Sequence, residues 1–147
     1  MSLNHILNFI QISDNIATSG QPSPEQFASI ANAGYTSLIN LAMPDSTNAL
    51  PDEGGFVTES GMNYFHIPVP FEAPNKDHLI LFLNLMEILK NEKVWVHCAL
   101  NMRVSAFMQH YQRHLLKRSA AECVPMLPGW QPEPVWQSFL ELRLDQT

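Results

Sequence analysis

Two short clusters in this 147-residue chain have residue types and spacing suited to chemistry. His97-Cys98 closes the apolar run Val94-Trp95-Val96, and Arg103-Val104-Ser105 follows at the opening of a helix, with four residues between Cys98 and Arg103. A cysteine carried by a buried strand into a short loop that feeds a helix N-terminus is placed to act as a thiolate nucleophile. The loop amides and the positive end of the helix dipole favour an anion there. The same setting suits an oxyanion such as a phosphate ester. Arg103 lies about 100° around the helix from Val104, at the exposed opening, where its planar fork of donors can turn back over the loop and hold two phosphate oxygens. Asn101 stands mid-loop, and asparagine is among the few non-glycine residues that accept the left-handed backbone an anion-cradling loop needs.

The elements that must position these residues alternate between strand and helix. Phe9–Ile12 and Ile16–Thr18 flank the turn-prone Ser13-Asp14-Asn15 and predict a small hairpin. Ser23-Pro24-Glu25-Gln26 supplies an N-cap, a proline at the first helical position and a glutamine at the third, with Gly34 as the stop and Phe27, Ile30 and Ala31 as a buried face. Thr36–Leu41 reads as an apolar strand. Met43–Gly61, with two prolines, three glycines and four acidic residues, reads as a long, partly irregular connection of the kind that is often functional. Tyr64–Val69 is the next strand, bounded by Pro68 and Pro70, and Asn75 caps a helix over Lys76–Asn91. Val94–His97 is then a short strand of the buried parallel kind. After the loop, Val104, Phe107, Met108, Tyr111 and Leu115 recur at helical spacing and face the core. The expected architecture is α/β: three layers, with a mainly parallel central sheet of about 4–5 strands flanked by helices. Ligands bind such sheets beyond the carboxyl ends of the strands, where Cys98 falls.

Composition bounds the partners. With 46% hydrophobic residues the chain can bury a real core, and one domain over 1–147 is expected. Fourteen acidic against eight basic residues give a net charge of −6, which argues against nucleic acid or an anionic membrane as the main partner, so any anion site must be local. The longest apolar stretch, Leu79–Leu89, contains Asn84 and Glu87 and is only about half a bilayer span. Two cysteines, Cys98 and Cys123, are too few for a disulfide scaffold, and Met1–Gln11 has no Lys or Arg to open a signal peptide, so a cytoplasmic setting is expected. His110 and His114, four apart on one helix, have no carboxylate motif to complete a metal site and read as surface residues. Trp130, Trp136 and Phe139 read as the packing face of the last helix.

The run His97-Cys98-Ala99-Leu100-Asn101-Met102-Arg103-Val104-Ser105 resembles the signature of cysteine-dependent protein tyrosine and dual-specificity phosphatases. Ser19-Gly20-Gln21-Pro22, Leu38-Ile39-Asn40-Leu41, Tyr64-Phe65-His66-Ile67-Pro68-Val69, Trp130 and Trp136 extend the likeness, over roughly residues 10–142, to small bacterial members grouped as a domain of unknown function. The resemblance implies a dual-specificity phosphatase-like fold and hydrolysis of phosphomonoesters through a thiophosphate on Cys98. It implies that Ala99, Leu100, Asn101, Met102 and Arg103 bind the phosphate. His97 and Ser105 would act from behind, His97 by orienting the loop and Ser105 through its hydroxyl when the intermediate is hydrolysed. The general acid of the family lies after the Tyr64–Val69 strand, where Glu72 comes first and Asp77, in the first turn of a helix, second. No metal or cofactor is implied; the partner is a phosphorylated small molecule or phosphoprotein, with no particular oligomeric state.

The spacing departs from the usual signature. Five residues usually separate Cys from Arg, with a glycine third after the Cys; here four intervene, Val104 holds the usual arginine position and Asn101 replaces the glycine. The small bacterial group is similar to this chain in its shorter loop. Three functions are compatible: a phosphotyrosine-like monoesterase, a phosphate-binding module without turnover, and a rhodanese-like sulfurtransferase, whose active loop also resembles this spacing but lacks the His-Cys pair. The uncharged Ala99, Leu100 and Met102 favour a monoester over a polyanionic substrate.

Overall fold

In the computed structural model, which describes residues 3–144, β1 (Ile10–Ser13) and β2 (Ile16–Ser19) form the expected hairpin at the edge of a five-stranded sheet. Residues 1–2 and 145–147, the ends of the expected domain, lie outside the described residues. β3 (Ser37–Asn40), β4 (Asn63–His66) and β5 (Val94–His97) complete the order β1-β2-β5-β3-β4, parallel throughout except for the hairpin. The register aligns Ser19, His97, Asn40 and His66 across the four parallel strands. The loops leaving these residues therefore meet at one end of the sheet, and β5, buried between β2 and β3, delivers Cys98 to its centre.

Alternation along the strands divides the core in two. Ala17, Leu38 and Trp95 face α1 (Pro24–Asn32) and α2 (Glu53–Glu59), packing with Phe27, Ile30 and Val57. Ile16, Ile39 and Val96 face α3 (Lys76–Ile88), α4 (Met102–His114) and α5 (Pro134–Leu140), packing with Phe82, Phe107 and Trp136. This is the expected three-layer arrangement. α1 starts on a full capping box, the Ser23 hydroxyl accepting from Gln26 N and the Gln26 side chain accepting from Ser23 N, an arrangement worth about 1 kcal/mol. Asn75 caps α3 in the same manner through His78 N. Among the described residues no helix is long and apolar enough to cross a membrane.

The structure corrects the sequence reading in three places. The connection over 43–61 is not irregular throughout: it contains α2, a helix whose Gly54, Gly55, Val57 and Thr58 are weak helix formers. Tertiary contacts make it, because Val57 is wholly buried and the backbone at Gly54 lies so close to Tyr64 that a Cβ would meet the ring at 3.1 Å. Regular strand β4 ends at His66, although Ile67 and Val69 still donate to Asn40 and Leu41 of the neighbouring chain segment. His110 is fully buried and not a surface residue. α5 docks over it, the Phe139 carbonyl accepting from its Nε2 at 2.8 Å and the Phe139 ring standing 5.3 Å away. Trp136 and Phe139 do pack α5 onto the core, with Trp130 partly buried against them.

Candidate active site

The loop between β5 and α4 turns its carbonyls outward. Ala99 O accepts from Gln21 N and from Asn48 Nδ2, both at 3.0 Å, and Leu100 O accepts from Asn8 Nδ2 at 3.0 Å. Gly20 permits this packing, since a Cβ there would lie 2.7 Å from Ala99 O and 2.9 Å from Leu7 Cδ2. Asn101 adopts the left-handed backbone expected of it, φ 71° and ψ 15°, and is completely buried. Its side chain donates to Asn8 O at 2.8 Å and to Thr18 Oγ1 at 3.1 Å and does not cap the helix. A left-handed residue joined to helical ones is the pattern that makes a concave nest of N–H groups. Among the described residues, no acceptor receives the backbone N–H groups of the six residues Ala99 to Val104.

Behind the loop, His97 is wholly buried against a carboxylate that sequence reasoning did not single out. Glu53 Oε2 stands 2.6 Å from His97 Nε2, and Glu53 Oε1 accepts from Gln21 Nε2 at 2.6 Å. Burial pushes the Glu53 carboxyl up, but the hydrogen bond and charge of His97, with hydrogen bonds from Gln21 and Tyr64, outweigh it and hold the group below its ordinary value. The Tyr64 hydroxyl, raised to about 12 chiefly by burial, remains a donor. The other ring nitrogen of His97, Nδ1, faces the Cys98 carbonyl oxygen at 3.1 Å. An ionised carboxylate only accepts, so His97 Nε2 donates to Glu53, an assignment made from its partner. α2 thus places Glu53 under the loop between β5 and α4.

Arg103 departs from expectation in its setting. It is buried at 6% exposure, not open at the helix mouth, because the chain leaving β4 crosses over it. One NH1 donates to Val69 O at 2.9 Å, and Phe71 lies with its ring 5.7 Å from the guanidinium carbon, while Nε is buried without a partner. Phe71 is fixed in turn by Trp136, whose indole N–H donates to Phe71 O at 2.9 Å. Arg103, Glu72, Ala99, Leu100 and Met102 line one cleft of about 660 Å³. Asp77 lies outside that lining, in the first turn of α3. Ser105 is turned away from the cleft: its hydroxyl donates to Asn101 Oδ1 at 3.4 Å and accepts from Leu127 N at 3.1 Å, so it ties the loop to the chain after α4. Val104, at the usual arginine position, is in the core.

Glu53, Gln21, Asn8 and the indole of Trp136 gave no local signal of their roles, because their partners are distant along the chain. The sequence features touching any of them are the Ser19-Gly20-Gln21-Pro22 string, where Gly20 and Gln21 meet the loop, and Trp136, read for its packing and not for its indole N–H.

Neither a family model nor a curated protein matches the chain. Solved structures do. A DUF442 protein from Shewanella putrefaciens CN-32, provisionally named a phosphatase, is 35% identical with a TM-score of 0.85, over 94% of this chain and 91% of that one. Tk-PTP in its active form is 20% identical with a TM-score of 0.76, over 90% and 93% of the two chains. TpbA of P. aeruginosa, in complex with pTyr, is 12% identical with a TM-score of 0.65, over 81% and 69%. The two more distant likenesses extend the fold to protein tyrosine phosphatases. The level and coverage of the first identity, on the fold and loop described above, mean that the chain belongs to the DUF442 group of phosphatase-like proteins.

Proposed function

We propose that the chain is a cysteine-dependent phosphatase that hydrolyses phosphotyrosine-like monoesters. The observation that carries this reading is the row of unpaired amides from Ala99 to Val104 at the mouth of β5, beside a buried guanidinium with a free Nε. Such donors cannot all stay unsatisfied without cost, and a phosphoryl group supplies the oxygens they lack. In this reading the Cys98 thiolate attacks phosphorus and forms an S–P bond as the ester P–O bond breaks. Glu72 gives the leaving oxygen its proton. Water then attacks phosphorus and gives a proton to the Glu72 carboxylate as the S–P bond breaks, releasing inorganic phosphate and restoring both the thiolate and the acid. The amides and Arg103 hold the equatorial oxygens throughout, so most of the catalysis is positioning and charge stabilisation. His97, held by Glu53, places the Cys98 carbonyl and with it the start of the loop. Phosphotyrosine bound to a fold relative is in keeping with an aryl phosphate as substrate.

Turnover of p-nitrophenyl phosphate that disappears in Cys98→Ser tests the proposal; activity that survives in that variant sinks it. A second reading, phosphate binding without turnover, draws on two observations: Cys98 is 1% exposed, and one Arg103 NH1 is occupied by Val69 O. It predicts phosphate binding in calorimetry, lost in Arg103→Ala, with no hydrolysis. The sulfurtransferase alternative gains nothing from relatives named as phosphatases.

A further inference from the structure

The charged side chains that line the cleft around the anion loop are acidic except at its base. Three exposed carboxylates, Asp45, Glu72 and Glu133, line it, and Arg103 is the one cationic side chain among the described residues that do. Each carboxylate comes from a different element held to the site. Asp45 belongs to the loop after β3, which Asn48 ties to Ala99 O. Glu72 follows Phe71, anchored by Trp136. Glu133 precedes Pro134 at the start of α5, and its Oε1 accepts from the Trp130 indole at 3.2 Å. Between them the walls are apolar: Met43, Phe71, Met102 and Leu100, the last 44% exposed.

The site needs this rim explained. In the phosphatase reading the loop binds a phosphate, yet the surrounding charge has the same sign as phosphate, on a chain whose net charge is already −6. A cleft of about 660 Å³ is far larger than a phosphoryl group and within the usual range for a ligand with a sizeable body. The base of the cleft and its rim therefore ask for opposite charges on one molecule. Resting on the phosphatase reading above, we infer that the substrate is a phosphomonoester with an apolar or aromatic body that carries positive charge beside its phosphate. Polyanions are repelled by the rim, and the cation of the preferred substrate meets Asp45 and Glu133 while the phosphate meets the amides and Arg103. Complementarity of this kind sets specificity and association rate more than affinity alone.

The test uses the Cys98→Ser protein as a binding form, so that the outcome does not depend on turnover. Calorimetry compares phosphotyramine with 3-(4-phosphonooxyphenyl)propionate, which share the aryl phosphate and differ in the sign of the tail, and then two phosphotyrosyl peptides flanked by arginine or by glutamate. Exposed pairs are each worth a few-fold, so about a 10-fold preference for the cationic member is expected at low salt, shrinking at about 1 M salt. The double variant Asp45→Asn, Glu133→Gln should bring the ratio close to one. A preference confined to the small molecules assigns the site to a small aminated phosphate, and one that grows with the peptides assigns it to a basic phosphopeptide; both support the inference. Equal binding of the two members, or tighter binding of the anionic one, overturns it while leaving the phosphatase reading intact. If no phosphate compound binds at all, the phosphatase reading falls and takes the inference with it.

Discussion

Replacing Glu53 separates a buried ion pair from an ordinary surface one. In Glu53→Gln the new amide can still pair with His97 Nε2 while its carbonyl accepts from Gln21, and His97 Nδ1 keeps the Cys98 carbonyl. Every group retains a partner, so the loss is the difference between charge-assisted and neutral hydrogen bonds, about 1–2 kcal/mol. In Glu53→Ala, His97 Nε2 and Gln21 Nε2 both lose their acceptor in the interior, and the loss rises to about 3–5 kcal/mol. Urea denaturation followed by tryptophan fluorescence near pH 7 reads both. The pH dependence supplies a second check. Because the folded carboxyl lies below its ordinary value of 4.5, its contribution is complete above that pH and is lost as pH falls through the folded value. Wild type and Glu53→Gln should therefore converge on acidification. Equal losses in the two variants, or a gap between wild type and Glu53→Gln that persists unchanged well below pH 4.5, would refute the pairing.

Two further outcomes are expected. Glu72→Gln should slow hydrolysis of phenyl phosphate by about a hundredfold or more and that of p-nitrophenyl phosphate much less, since the better leaving group needs little protonation; unchanged phenyl phosphate turnover would make Asp45 the next carboxylate to substitute. His110 is lowered from 6.5 to about 4, first by burial and then by the charges of Arg113 and His114 against a hydrogen bond to Phe139, so the unfolded chain takes up its proton first and stability is lost as pH falls from 6.5 toward 4. The loss is about 2–3 kcal/mol, and urea midpoints of His110→Gln at about pH 7 and pH 4.5 should differ by less than those of the wild type; an equal difference would mean that His110 takes up its proton without penalty.

Features with local causes were readable from the chain. Ser23 with Gln26, and Asn75 before α3, announce their helices because a cap and its partner lie within one turn. The β5-loop-α4 unit was readable because an apolar strand, a left-handed asparagine and a periodic helix follow one another directly. α2 was not, because its own residues oppose a helix and only Val57's burial and Glu53's bond to His97, 44 positions away, make it one. Arg103 sits where its spacing puts it, but its burial depends on Val69 and Phe71 crossing above, which no spacing rule within α4 contains. His110 was misread for the same reason: the pattern of α4 describes one apolar stripe, whereas α5 covers a second face. The acidic rim was invisible in sequence because its three carboxylates lie in three separate loops.

Asn8 bonds both to Leu100 O and, through its own carbonyl, to Asn101, while Leu7 O accepts from Gly20 N. These bonds span 92 and 93 positions, so the anion nest is held by a circuit that closes only when the chain's early residues meet its last third. During synthesis Asn8, the hairpin and β3 are made long before β5 and the loop after it, so these bonds cannot form until the last third of the chain has emerged. Closure of so long a circuit costs entropy that local contacts do not repay, which makes the nest a late feature of folding. On the function proposed above, competence to bind an anion is therefore a marker of the finished molecule, and partly folded forms with most of their sheet in place would lack it.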